Sequence, residues 1–205
     1  MSRKQKAHTV TKEQNKARLT AAAADLIRRR GLQATSVREL AKHAGAPLGS
    51  VYHYYPEGKQ QFVSEAIELA GCKIAQQLET CLADGPEAGF RAYFAHWRQL
   101  LTDTDYSAGC PLAAISLDAN ARHDVPAALL QTAEVFSRLQ AQIAASLHAH
   151  GAQLEPAQAL AMAIISAIEG AILVCRAQRQ LTALDAAEEM VMRLLQSVLP
   201  AETKP

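Results

Sequence analysis

Gly45 constrains this chain more than any other residue. It stands between two short helical patterns in the segment TSVRELAKHAGAPLGSVYHYYPEGK, residues 35–59. Before it, Thr35 or Ser36 can cap a helix, with Glu39 three residues after Ser36 as the returning half of a capping box. Val37, Leu40, Ala41 and Ala44 follow at helical spacing, and the two alanines are small enough for a close helix crossing. Glycine at position 45 tolerates the positive φ of a sharp turn. Pro47 suits the start of the next helix, which the pattern carries from about Leu48 to Tyr55. In that helix Val51 and Tyr54 or Tyr55 are expected to pack inward. Gly49, Ser50, Tyr52 and His53 are left outward, and Pro56 with Gly58 ends the run. Two short helices joined this way form a helix-turn-helix, whose second helix fits the major groove of double-stranded DNA.

The charge distribution agrees. Residues 1–60 hold 12 Lys/Arg against 4 Asp/Glu, whereas residues 61–205 hold 9 against 16. Cationic charge concentrated on the helix-turn-helix part is the electrostatic footprint that phosphate binding requires. The basic stretch Arg3-Lys4-Gln5-Lys6 is placed to lie along DNA. The opening residues 1–16 are polar and basic, unlike a secretory signal. The most apolar run, residues 157–175, is interrupted by Gln158, Ser166, Glu169 and Gly170, so no stretch is expected to be long and apolar enough to span a bilayer, and no membrane partner is expected. Cys72, Cys81, Cys110 and Cys175 are widely spaced, which points to neither a zinc site nor a disulfide framework. The expected setting is cytoplasmic, and no cofactor is expected.

The run Ala41-Lys42-His43-Ala44-Gly45-Ala46-Pro47-Leu48-Gly49-Ser50-Val51-Tyr52-His53-Tyr54-Tyr55, followed by Lys59, resembles the DNA-binding domain of the TetR/AcrR family. The resemblance covers residues 12–62. Two departures, Ala46-Pro47 in the turn and a lysine seven rather than six residues after Tyr52, resemble a multidrug-resistance-type subgroup of LmrA/YxaF-like regulators, as does Gly109-Cys110-Pro111. The resemblance implies phosphate contacts from Tyr52, Lys59 and the hydroxyl of Thr35 or Ser36. It implies that Pro47, Leu48, Gly49, Ser50 and His53 lie near bases or the adjacent backbone. It further implies a homodimer on a palindromic operator, and a body whose pocket binds a small-molecule effector that releases DNA.

The rest of the chain reads as all-α. A first helix is expected over residues 12–30, with Leu19, Ala22, Ala23, Leu26 and Ile27 as its stripe and Gly31 closing it. A long helix over residues 58–83 follows. Breaks are expected at residues 84–86, 102–109, 124–126, 151–156 and 180–183. The family resemblance implies about nine helices, in a DNA-binding domain at residues 1–60 and a regulatory and dimerisation domain at residues 61–205.

Two helical runs, residues 156–178 and 184–199, are the candidate dimer face. Ala163, Ala167, Gly170 and Ala171 are its small residues, with Ile164, Ile168 and Leu173 around them. Ala187, Val191, Leu194, Leu195 and Val198 form the stripe on the second run. The candidate pocket residues are Tyr93, Phe94, Trp97, Tyr106, Cys110, Leu117, Phe136 and Glu169. Phe90, Tyr93, Phe94 and Trp97 recur at helical spacing, which makes a core face first and a ligand wall second. Glu169 is a carboxylate inside an apolar helix, which costs free energy unless it meets a ligand donor, Arg176 or a hydroxyl. The expected effector is planar and aromatic or drug-like. Two alternatives stand beside this: a constitutive regulator, and one sensing oxidants through Cys110. An enzyme is disfavoured, because Cys110, His123 and Asp124 make no nucleophile elbow, metal spacing or phosphate loop.

Overall fold

The computed structural model describes residues 3–200, with side chains from residue 12 onward. The side chains of Arg3, Lys4, Gln5 and Lys6, read above as a DNA-following stretch, lie outside the described residues. Among the described residues there are ten helices and no strand. They are α1 (Arg3–Arg30), α2 (Val37–His43), α3 (Leu48–Tyr54), α4 (Lys59–Leu82), α5 (Pro86–Asp103), α6 (Pro111–Ser116), α7 (Ala121–Asp124), α8 (Pro126–Ala149), α9 (Leu154–Gln178) and α10 (Thr182–Val198). The four-residue α7 is the tenth helix beyond the nine expected; it occupies the stretch before Pro126.

The chain divides into two compact units, residues 1–71 with 111–132 and residues 72–110 with 133–205. This division does not follow the linear split at residue 60. In the first unit α6 packs on α1, so a segment far along the chain joins the N-terminal helices.

The first unit is built on the buried stripe Leu19, Ala23, Leu26 and Ile27 of α1, with Leu40 of α2, Val51 of α3 and Phe62, Val63, Ala66 and Ile67 of α4. Gly31 closes α1 at φ 76, its N–H reaching the Ile27 carbonyl at 2.8 Å. Ser36 caps α2 by accepting from the Glu39 N–H at 3.2 Å. The reciprocal half of the capping box is replaced, because the Glu39 carboxylate pairs with Arg30 at 3.0 Å. After α2, the Gly45 N–H bonds the Lys42 carbonyl and the Ala46 N–H bonds the Ala41 carbonyl, at 3.2 and 2.9 Å. That pair of bonds is a Schellman motif, and it needs the left-handed backbone that Gly45 adopts at φ 58. The turn between the two short helices is thus set by backbone chemistry at one glycine. Tyr55, not Tyr54, is the inward tyrosine; it is fully buried and its hydroxyl meets Thr20 Oγ1 at 2.8 Å.

A polar clasp closes the same unit. Asp25 on α1 accepts from Arg28 and Arg29 on its own helix and meets His43 Nε2 of α2 at 2.8 Å. Burial raises the Asp25 pKa, but Arg28, His43 and Arg29 together outweigh it and hold the carboxyl below its ordinary value.

In the second unit α9 packs against α10 and α5. Its buried side is Leu160, Ala161, Ile164, Ile168, Ala171, Ile172 and Cys175. The expectation that no stretch is long and apolar enough to span a bilayer is corrected here. By length and composition α9 qualifies, since its polar interruptions are few, and 39% of its most apolar window is buried inside the fold. α5 and α10 are joined by Arg98, which pairs with Glu188 and, at 2.8 Å, with Asp185.

The clasp generates a prediction. A carboxyl with a lowered folded pKa adds stability above its unfolded value, near 4, and that stability is lost as the pH falls through the folded value. Asp25→Asn should therefore cost roughly 1 kcal/mol near neutral pH, and the difference should vanish in acid, as read by urea denaturation of parent and variant.

Candidate DNA interface and effector cavity

The outer surface of α3 is assembled by what the inner surface requires. Val51 and Tyr55 are committed to the core, so the remaining positions turn outward. Pro47, Leu48, Gly49, Tyr52 and His53 are exposed, Tyr52 by 52%, and Ser50 is half-exposed. His53 packs edge-on to Tyr54, with ring centroids 5.2 Å apart. A Cβ at Gly49 would meet nothing within 4 Å, so the glycine leaves open surface where a duplex backbone can approach closely. Lys59 is the first residue of α4, beside the unpaired N–H groups and positive dipole end of that helix.

The hydroxyls of Thr35 and Ser36 are separated by the fold. Thr35 is buried, and its Oγ1 donates to the Gly31 carbonyl at 2.7 Å, closing the end of α1. That hydroxyl is withdrawn from the surface. Ser36 remains exposed, with its O–H free to donate while its oxygen caps α2. Sequence reading overlooked Arg38 and Lys42. They lie four apart on one exposed face of α2 and carry no ion pair among the described residues, whereas Lys16 and Arg30 each pair with a carboxylate and Arg28 and Arg29 share that of Asp25. The i, i+4 basic spacing was the available signal.

The second unit holds a small, partly open and mainly apolar cavity of about 30 Å³. α4 contributes Ile74 and Leu78, α5 Phe90, Tyr93 and Trp97, α8 Phe136, Leu139 and Ile143, and α9 Ile165, Ile168 and Glu169. Of the pocket residues read from sequence, the fold brings Tyr93, Trp97, Phe136 and Glu169 together here. Phe94 is fully buried but does not line the cavity. Tyr106 lies under the guanidinium of Arg179, 5.8 Å from the ring centroid. Leu117 belongs to the first unit and is 70% exposed. The aliphatic wall from α4 and α8 carried no signal in the sequence beyond ordinary core periodicity.

Glu169 is the polar centre of this cavity. Burial pushes its carboxyl up to about 7, opposed by a hydrogen bond from the Cys110 thiol. Its Oε2 is buried with no hydrogen-bond partner, as is the indole Nε1 of Trp97. Burial also drives the Tyr93 hydroxyl well above its ordinary pKa. Arg176, weighed above as a partner for Glu169, turns elsewhere: its Nη2 donates to the Ser107 carbonyl at 3.2 Å. Its guanidinium packs so closely on Gly109 that a Cβ there would lie 2.7 Å from Nη1. Arg179 binds the Asp105 carbonyl at 3.2 Å. The two arginines pin the turn in which Asp105 and Tyr106 hold positive φ. Among the described residues no cluster of His, Cys, Asp and Glu is arranged to hold a metal ion.

A carboxyl with a raised folded pKa costs nothing below its unfolded value. The cost grows as the pH climbs toward the folded value, because the unfolded chain releases its proton first. Parent and Glu169→Gln should therefore be equally stable near pH 4.5, and the variant should be the more stable by roughly 2–4 kcal/mol at pH 8. Urea unfolding at the two pH values, followed by the emission of Trp97, checks this.

Comparison with known proteins places these features. Residues 19–66 match the family model for bacterial regulatory proteins of the tetR family, and residues 86–190 match the C-terminal domain of LmrA/YxaF-like transcriptional regulators. An uncharacterized HTH-type transcriptional regulator of Mycobacterium tuberculosis is 37% identical over 190 residues, spanning 91% of this chain and 97% of that protein. YxaF, an HTH-type regulator of Bacillus subtilis, is 26% identical, over 79% of this chain and 85% of its own. Among solved structures, a TetR transcriptional regulator from Legionella pneumophila superposes with a TM-score of 0.76 at 21% identity, covering 88% of this chain and 95% of that one. A regulatory protein TetR from Rhodobacter sphaeroides gives 0.76 at 22%, covering 87% and 97%. At that identity the two structures speak for the fold alone.

Proposed function

The chain belongs to the TetR family of DNA-binding transcriptional regulators, a family that is not enzymatic, and on that premise we propose that it is a cytoplasmic repressor. In this reading it binds a palindromic operator as a homodimer and leaves it when a small molecule occupies the body. Residues 1–60 are the reading head and residues 61–205 the regulatory and dimerisation part. The observation that carries the DNA role is the exposed surface of α3, which offers Gly49, Ser50, Tyr52 and His53 while Val51 and Tyr55 hold the helix down. Ser36, Tyr52 and Lys59 contact phosphates and set register. Pro47, Leu48, Gly49, Ser50 and His53 lie against bases or the adjacent sugar-phosphate chain. Thr35 acts only from behind, by ordering the start of α2. Arg38 and Lys42 add unpaired positive charge.

The dimer reading is supported by the outward side of α9. Met162, Leu173 and Val174 are exposed there, Leu173 by 53%, beside the exposed small residues Ala163, Ser166 and Gly170. Met190 on α10 is also exposed. Apolar surface of this kind on two consecutive helices suits a self-complementary contact between copies. The contact differs from the sequence expectation. Ile164, Ile168, Ala171, Ala187, Val191 and Leu195 are spent on the core, and the face falls to their neighbours.

The effector reading rests on the Glu169 cavity. Its volume of about 30 Å³ is far below the roughly 300 Å³ of ordinary small-molecule sites. An occupant therefore has to part the walls. A ligand that binds only a parted state shifts the protein toward that state, as release of DNA requires.

Binding to DNA taken from beside the gene, followed by fluorescence anisotropy, tests this reading. Tyr52→Ala should weaken binding at least about tenfold with the dimer intact. Lys59→Ala should weaken all sequences alike and flatten the salt dependence by about one unit. Leu173→Glu should yield a monomer in sedimentation and lose operator binding. Parent-like DNA binding by both head variants would refute the assigned surface, and an unchanged dimer in Leu173→Glu would refute the assigned interface.

A further inference from the structure

We infer that the Glu169 cavity selects a lipophilic amine, bound as its cation with the ammonium on the Glu169 carboxylate and the apolar body among Phe90, Tyr93, Trp97 and Phe136. The inference rests on the reading of this cavity as the effector site and adds the chemical class of the effector.

Three observations converge on a cation. The first is the orphaned Oε2 of Glu169, a buried acceptor in a wall whose other polar groups are the Tyr93 hydroxyl and the Trp97 indole N–H. An apolar occupant would leave that oxygen desolvated and unpaired. The second is the absence of any lysine, arginine or histidine among the lining residues. An anion would meet the carboxylate with nothing to compensate it. The third is the aromatic content of the wall. Four of its eleven lining residues are aromatic, and aromatic faces attract cations most strongly where water is excluded. A lipophilic ammonium satisfies all three at once. It also meets the sequence expectation of an aromatic, drug-like ligand while adding the charge that expectation lacked.

Selection is coupled to a proton. Burial favours the neutral Glu169 carboxyl, and an incoming ammonium favours the carboxylate, so binding expels the Glu169 proton. The ionisable groups known to act on the site are few. The Cys110 thiol donates to Glu169, and Tyr93 on α5 lies close enough to Glu169, Cys110 and Cys81 to interact electrostatically with each. Burial holds the Tyr93 hydroxyl protonated throughout the neutral range. Arg176 on the same helix is engaged by the Ser107 carbonyl. Affinity for an amine should therefore rise with pH until Glu169 is ionised in the free protein.

The chain's one tryptophan lines this cavity, so its emission reports occupancy without a label. The full chain is titrated with three probes of one skeleton: phenethylammonium, 2-phenylethanol and phenylacetate. Emission of Trp97 and the Tm are read for each. The cation should bind at least about tenfold more tightly than the alcohol at pH 8, and phenylacetate should be weakest. Glu169→Gln should remove the preference for the cation while changing the alcohol by less than about twofold. The parent's affinity for the cation should rise between about pH 6 and pH 8 and stay flat in the variant. The cation-to-alcohol ratio is measured on the parent, so it stands whether or not the variant folds. Equal binding of all three probes would overturn the amine class and leave the cavity as an effector site. No response to any probe at about 10 mM would overturn the effector-site reading, and the amine class with it.

Discussion

Burial of one side of α9 is the constraint on which the second unit depends. Leu160, Ile164, Ile168 and Ile172 close against α5 and α10, and that closure draws Glu169 inward with them. The helix has no freedom to rotate the carboxylate into water, because the isoleucines on the adjoining positions would be exposed instead. A polar group is thereby held at a fixed energetic cost in an apolar wall. The same rotation fixes which residues remain outside. Met162, Leu173 and Val174 are left exposed because their neighbours are spent on the core. Cavity and candidate interface are two sides of one helix, and neither can be redesigned without the other.

The first unit solves a different problem. Its two short helices, seven residues each, are too short to hold their own geometry in water. The Schellman bonds at Gly45 set the angle between them, and the Asp25 clasp and the Tyr55–Thr20 hydrogen bond fasten them to α1. These contacts are polar, but each involves groups that are partly or fully buried, where hydrogen bonds discriminate between geometries. The outward side of α3 is consequently rigid without any contact of its own, which is what a reading surface needs. Four of the unit's cations, Lys16, Arg28, Arg29 and Arg30, are engaged by carboxylates within it, so those that remain on the α2–α3 side, Arg38, Lys42 and Lys59 among them, matter more than the overall charge suggests.

Much of this was legible beforehand. The breaks at residues 84–86, 102–109 and 124–126 and the turns at Gly31 and Gly45 were marked by residues whose backbone preferences act locally. The inward role of Val51 and the burial of Phe90, Tyr93, Phe94 and Trp97 follow from helical period alone. Thr35 and Ser36 were not separable, since both are good caps and only the position of the Gly31 carbonyl assigns them. Leu117, Tyr106 and Phe94 had the right composition for a cavity wall, but a wall is defined by which elements converge. The aliphatic residues that complete it, Leu139, Ile143 and Ile165, look like any core residue.

The sequence by itself determined the all-α class, the helix-turn-helix and the basic character of its end of the chain, because caps, turns and periodicity operate over a few residues. Only the tertiary structure decided where α6 packs, which side of α9 faces inward and what surrounds Glu169. Those outcomes depend on contacts between residues distant in sequence, and no local preference encodes which apolar faces will find each other.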